Sequence, residues 1–298
     1  MHLVTDPWKY AFFRHGLEAG TLAGALCGLV GVYVVLRRMS YIGHGLSHAI
    51  FGGAVASYVL QINFYVGAGI WGVVSALLIN SVARRRKIGA DAAIGIVTTA
   101  SFAIGVALIS RFHKFTVNFE AALFGNILGV STSALLVLLG ATLFTVGVVF
   151  LQYRQLLFAT FDPEVADTYG VNVRRVDVLF ALILAATVVS TMQILGVTLI
   201  AATIVIPAIV ARLITDSFGK MLVVSTIVGA ACGFAGMYTS FYFDVASGST
   251  IVLVAAAIFV LVFAATALLN RRRLSSLEAQ GTGAGAMEPV GGPAPDLG

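Results

Sequence analysis

The chain has 298 residues, of which 59% are hydrophobic and only 10% charged. Soluble domains carry roughly 25% charge, so this composition excludes a water-dressed globular protein and points to an all-α polytopic membrane protein. The formal net charge of +5 would suggest nucleic acid in a soluble chain. Here most arginines stand at the ends of apolar segments, where they set topology, and no nucleic-acid partner is expected.

The length leaves room for about eight to ten spans of roughly 20 residues and for no large soluble domain. Apolar segments fall at 17–36, 45–60, 62–83, 92–110, 131–151, 176–193, 195–214, 221–241 and 250–269. The second is short for a full crossing. Merging 176–193 with 195–214 would leave eight spans; nine are preferred because they keep the basic residues on one side. With nine alternating segments, 14 basic residues, Arg37, Arg38, Arg84, Arg85, Arg86, Lys87, Arg154, Arg174, Arg175, Arg212, Lys220, Arg271, Arg272 and Arg273, share a side. Only Lys9, Arg14, Arg111 and Lys114 oppose them. The richer side is cytoplasmic by the positive-inside rule, with the N-terminus outside and the C-terminus inside. The expected organisation is an extracytoplasmic segment 1–16, a transmembrane domain 17–270 and a disordered cytoplasmic tail 271–298, rich in Ser, Gly, Ala and Pro. No cleaved signal peptide is read at the N-terminus, which carries Asp6, Lys9, Arg14 and Glu18.

The first segment carries Gly16, Gly20, Gly24 and Gly28, a stripe that lets a second helix approach closely in lipid. Just beyond it lies Arg37-Arg38-Met39-Ser40-Tyr41-Ile42-Gly43-His44-Gly45-Leu46-Ser47-His48-Ala49. Residues four apart share a helix face, so Ser40, His44 and His48 form one series. Two imidazoles so placed can share a metal ion, and ionisable groups at membrane depth mark functional sites. The competing reading is a pair of histidines bonded to carbonyls at a helix contact.

Phe161 to Val171 is the longest polar stretch between spans. Asp162 can cap a helix with Pro163 at its first position, Glu164 suits the first turn, and Gly170 can stop it. A capped helix on the cytoplasmic rim can be a docking handle for another protein or an ordinary surface loop. Gln193 and Thr198 flank the break between segments six and seven, with Thr203 and Pro207 following. Proline there marks a hinge, a pore-lining bend or a plain packing kink.

Catalysis has little support. Gly219-Lys220 is followed by Met221 and lacks the preceding glycine of a phosphate loop, so the chain has no ATPase motif of its own. Gly45 stands where a His-Glu-x-x-His protease would need glutamate. Cys27 and Cys232 both lie within apolar runs and form no CxxC pair. No permanently bound cofactor is expected.

The stretch 37–49 resembles the R-R-M-s-x-x-G-D-a-L-S-H-A signature of zinc/manganese/iron-type ABC transporter permeases, the ABC-3 family. Four further stretches agree in order. Leu123-Phe124-Gly125-Asn126-Ile127-Leu128 resembles L-F-G-D/S-I-L, and Phe161-Asp162-Pro163-Glu164 to Gly170 resembles F-D-P-E-x-A-x-x-x-G. Leu195-Gly196-Val197 to Ile206-Pro207-Ala208 resembles v-G-x-L-L-v-x-x-L-l-i-P-A, and Ser247-Gly248-Ser249-Thr250-Ile251-Val252 resembles S-G-a-T-I-V. The likeness covers roughly residues 15–270.

The resemblance implies a homodimeric permease importing divalent metal ions by alternating access. An ATP-binding cassette subunit would dock on 161–170, through Asp162, Pro163, Glu164 and Gly170, and use the ATP. An extracytoplasmic metal-binding protein would deliver the ion to His44 and His48, with Ser40, Gln193, Thr198, Thr203 and Pro207 as path-lining candidates. His48 matches the family histidine; His44 stands where aspartate is usual. Imidazole suits zinc better than manganese, so zinc is favoured over manganese or iron. Both imidazoles bind metal only when neutral, so uptake is expected to fall as acid protonates them. The alternatives are a stand-alone secondary metal transporter or channel, which would need its own coupling-ion residues, and an intramembrane enzyme, which would need a general base beside His44.

Overall fold

The computed structural model describes residues 7–83, 88–112, 124–125 and 129–284. Arg84 to Lys87, Lys114, Leu123, Asn126 to Leu128 and the tail beyond Ala284 lie outside the described residues. Among the described residues there are eleven α-helices and no strand. They are α1 (Ala11–Leu36), α2 (Ile42–Val59), α3 (Phe64–Ala83), α4 (Ala90–Phe112), α5 (Thr132–Leu151), α6 (Tyr153–Phe161), α7 (Pro163–Thr168), α8 (Val173–Leu195), α9 (Ile200–Ile214), α10 (Phe218–Phe243) and α11 (Ser247–Ala284).

Seven of these, α1, α3, α4, α5, α8, α10 and α11, are long and apolar enough to cross a membrane. The expectation of eight or nine such helices is therefore met by seven. The two that differ are α2 and α9. Helix α2 has 18 residues but spends them on two histidines, two serines and several glycines, which dilutes its apolar character. Helix α9 has 15 residues, which reach about 22 Å at 1.5 Å per residue, short of a hydrocarbon core of roughly 30 Å. Segments six and seven do form separate helices, because Gly196 takes φ +81° and ends α8.

The first and last helices extend beyond the apolar segments read from the sequence. Helix α1 starts at Ala11 rather than at 17, since Phe13 is fully buried and packs edge-on against Tyr238 and Phe241 of α10. Helix α11 continues past Arg273 to Ala284, through Arg271 to Gln280, a run rich in residues of good helix propensity.

Helices α1 and α8 form the centre, with 72% of their most apolar windows buried, against 11% for α11 on the rim. Helix α1 packs along α10 and α9, while α2 packs between α3 and α4. Helix α8 links the two groups through contacts with α1, α2 and α3. The glycine stripe finds its partner in α10. A side chain on Gly24 would collide with the Gly229 carbonyl, one on Gly28 with Ser225, and one on Gly233 with Gly20. At this closeness Ser225 Oγ donates to the Gly28 carbonyl at 2.5 Å.

Gly24→Leu is accordingly expected to destabilise the protein by about 3 kcal/mol or more, because the obstacle is backbone that cannot rotate away. Gly140→Leu, where a side chain meets open space, is the matched control. Thermal unfolding in detergent checks the difference, and equal midpoints would argue against this packing.

Candidate functional site

Helix α2 is aimed by the turn before it. Helix α1 ends at Leu36, and the amides of Arg37 and Met39 donate back to the carbonyls of Tyr33 and Val34 at 2.9 and 3.0 Å. Arg38 takes φ +56°, a left-handed conformation uncommon outside glycine. The chain reverses there, and α2 opens at Ile42. Ser40 lies in this turn, not on the helix. The expected three-residue series thus reduces to its two histidines, because the helical period begins only after the turn.

His44 and His48 stand on one face of α2 with ring centroids 4.5 Å apart and planes at 75°. His44 is exposed and His48 half-buried. Phe102 of α4 meets the His48 ring edge-to-face at 5.7 Å, which limits how that imidazole can turn. One metal ion about 2 Å from a nitrogen of each ring is within reach of the pair. Among the described residues no group of three or more His, Cys, Asp or Glu side chains is placed to hold a metal. The pair alone therefore supplies two imidazoles that could serve as ligands, with the remaining positions open.

Three contacts fix α2 in place. Gly45 and Gly52 let it press against α4, where a side chain would strike Ile94 or the Ser101 carbonyl. Gly43 faces Ile204 and Ala201 of α9. Ser47, fully buried between the histidines, has its hydroxyl 2.8 Å from the Val197 carbonyl and 2.9 Å from that of His44. Ser47 lies within the 37–49 motif, where its residue type alone signals no role. Its partner lies 150 residues away, so only the fold reveals the link.

The break that Ser47 grips is itself locked. Gly125 and Gly196 both have φ +81°. A side chain on Gly125 would collide with the Ile194 carbonyl, and one on Gly248 would crowd the carbonyls of Phe124 and Leu195. The described parts of three separate motif stretches thus meet at one backbone junction, where glycine is needed for both conformation and room.

The other candidates lie at the end of α8, in the turn after it and on α9. Gln193 is exposed and accepts a 2.7 Å hydrogen bond from the Tyr65 hydroxyl. Thr198 is half-buried in the turn between α8 and α9. Thr203 is 1% exposed and donates to the Leu199 carbonyl of its own helix. Pro207 is buried inside α9, where it removes the amide that would bond the Thr203 carbonyl. The structure brings His44 and His48 together on one face of α2.

The segment 161–170 folds locally as its residues dictate. Asp162 caps α7, accepting from the amides of Glu164 and Val165 at 3.1 and 3.0 Å, with Pro163 in the first turn. Gly170 takes φ +79°, and the Val171 amide closes the end on the Ala166 carbonyl at 3.0 Å. Ala166 alone is buried in this helix, while Val165 and Tyr169 are 42% and 80% exposed. A surface pocket of about 600 Å³ opens beside it, lined by Pro163, Glu164, Asp167, Gly170, Asn172 and Arg174 among others. An exposed, capped helix with apolar and acidic groups beside a pocket is suited to receive a protein.

Apolar helices passing through one compact bundle, with a histidine pair among them and a capped helix at one end, define a multi-pass protein of the cell membrane. The profile of the ABC 3 transport family matches residues 9–266, and the chain belongs to that family. It is 39% identical over 255 residues to the "Manganese transport system membrane protein MntC" of Halalkalibacterium halodurans, covering 86% of this chain and 87% of the relative. It is 33% identical over 258 residues to the "Chelated iron transport system membrane protein YfeD" of Yersinia pestis, covering 87% and 86%. Among solved structures, "PsaBC from Streptococcus pneumoniae in complex with Fab" contains a chain that superposes with a TM-score of 0.79 at 31% identity. That match covers 88% of this chain and 94% of the other.

Proposed function

We propose that this chain is the permease subunit of an ATP-driven importer of divalent metal ions. Two copies enclose a path, and residues 17–270 form the transmembrane domain of each. The chain crosses nine times, with α2 and α9 as short crossings completed by the irregular backbone at their ends, so that the N-terminus is outside and the tail inside. A separate ATP-binding cassette subunit docks on 161–170, supplying the ATPase that the chain lacks. An extracytoplasmic metal-binding protein delivers the ion. Family membership and the relatives' transport roles support the class of function. The single observation that carries the site is the His44–His48 pair, 4.5 Å apart with His44 exposed.

Two imidazoles per protomer suit a site that must release what it binds. A closed four-ligand cage holds its metal, whereas two ligands with exchangeable waters leave positions open. Ser47 acts here by fixing α2 to the 196–199 turn, so movement of that turn would carry the histidines with it. For the cargo, the second imidazole supports zinc, because manganese prefers oxygen-rich sites. The names of the relatives support manganese and iron. We read zinc as favoured and place the choice on His44.

Uptake of zinc, manganese and iron by the complex in proteoliposomes, comparing native His44 with His44→Asp, tests this reading. Zinc is expected to lead in the native protein, and the aspartate is expected to move preference toward manganese. A native ranking led by manganese, or a ranking unchanged by the substitution, overturns the zinc assignment. Uptake driven by an ion gradient without ATP would instead support a stand-alone transporter.

A further inference from the structure

We infer that Arg37 is a positioning residue that couples the cytoplasmic docking segment to the histidine-bearing helix. It stands at the start of the turn that leads into α2, and its side chain makes three contacts on two elements, α6 and α8. Arg37 Nη1 pairs with Asp177 Oδ1 of α8 at 2.8 Å. Arg37 Nε donates to Thr160 Oγ1 at 3.2 Å, and the guanidinium lies 4.5 Å above the ring of Phe180. The ion pair is largely sheltered, with side-chain exposures of 10% and 17%, so screening by salt is weak.

The placement of these partners gives the contact its meaning. Thr160 is two residues before Asp162, the cap of the docking helix. Asp177 lies in the first turns of α8, which follows that helix directly. The docking segment is therefore bracketed by two groups that one arginine holds together. On its other side Arg37 continues through the left-handed Arg38 and the hydrogen-bonded Met39 into α2, where His44 begins the metal pair. The path from docking segment to His44 thus runs through one planar guanidinium and one tightly bonded turn. A displacement of 161–170 must either move the turn or break a charge-assisted contact in a sheltered site.

Arginine suits this role because its fork presents separate N–H groups to the carboxylate and the hydroxyl while its face stacks on an aromatic ring. Lysine keeps the charge but cannot serve all three. The neighbouring aromatic rings of Tyr153, Phe161, Phe180 and Phe218, linked through Tyr33 and Phe218, make the surroundings stiff. Stiff packing favours transmission over absorption of a push.

This inference rests on the importer reading, and its test separates the two. The complete complex of permease and ATPase subunit is reconstituted in vesicles for the native protein, Arg37→Lys, Asp177→Asn and Thr160→Val. Co-purification of the ATPase subunit, ATP hydrolysis, and zinc and manganese uptake are measured together. Arg37→Lys and Asp177→Asn are expected to keep the ATPase subunit bound while metal moved per ATP falls about ten-fold, the scale set by one charge-assisted hydrogen bond. An unchanged ratio of metal to ATP overturns the inference. So does a loss of bound ATPase subunit that lowers uptake and hydrolysis in step, which would make the contact plain structural support. Where the charge variants fail to fold, the near-isosteric Thr160→Val decides by the same ratio. If the native complex shows no ATP-driven uptake, the importer reading itself falls, and this inference with it.

Discussion

Replacing His44 and His48 together by alanine is expected to abolish metal uptake while leaving the ATPase subunit bound. Losing a group that merely supports a metal ligand costs about 10- to 100-fold in affinity, so removing both ligands sets the expected loss of uptake at roughly 100-fold or more. The fold should tolerate the change. His44 is exposed and His48 half-buried, and alanine is a better helix former than histidine. The contacts that hold α2 in place come from Gly43, Gly45, Ser47 and Gly52, none of which is altered. Uptake of radioactive zinc or manganese into vesicles, with co-purification of the ATPase subunit as the folding control, reads the result. Native-level uptake in a correctly assembled double variant would remove the histidines from the path.

Asp162→Ala combined with Gly170→Val is expected to detach the ATPase subunit or uncouple it. A six-residue helix is too short to hold itself together, so α7 depends on its two ends. Losing the Asp162 cap costs about 1 kcal/mol. Forcing a β-branched residue into the left-handed conformation at Gly170 costs about 1–2 kcal/mol more. Space is not the obstacle, since a side chain at 170 meets nothing within 4 Å; the penalty is conformational. A combined loss of about 2 kcal/mol lowers the population of ordered helix roughly thirty-fold. Because α7 buries only Ala166, the transmembrane bundle should be unaffected, and thermal unfolding should match the native protein. ATPase docking and coupled hydrolysis at native levels would make 161–170 a passive loop.

Much of the candidate site was legible because its interactions are local. The cap at Asp162, Pro163 at the helix start and the stop at Gly170 involve residues two to five apart. Each was readable from residue chemistry alone and appears in the structure as read. The histidine pair was legible for the same reason, four residues being about one helical turn. Ser40 was misjudged because the same period was extended across a turn. Nothing in Arg38 announces a left-handed backbone, a conformation that glycine or asparagine would have signalled. The lengths of α2 and α9 were not legible, because apolar character was visible but helix length depended on where Gly196 and the turn at Arg38 end their neighbours.

Composition and charge, acting residue by residue, were enough to make this chain a helical membrane protein. Motif spacing added the family, the histidine pair and the capped segment 161–170. None of these required a contact between distant residues. What gives the motifs their physical purpose lies across long separations. Ser47 reaches Val197, Arg37 reaches Thr160 and Asp177, and Gly125, Gly196 and Gly248 meet at one junction. In lipid, helices associate through close backbone approach and isolated polar contacts rather than through hydrophobic burial. Such contacts can mark one side in the chain, as the glycine stripe does, but they do not name the other, so the partners of the stripe, the arginine and the serine emerged only when the helices were packed.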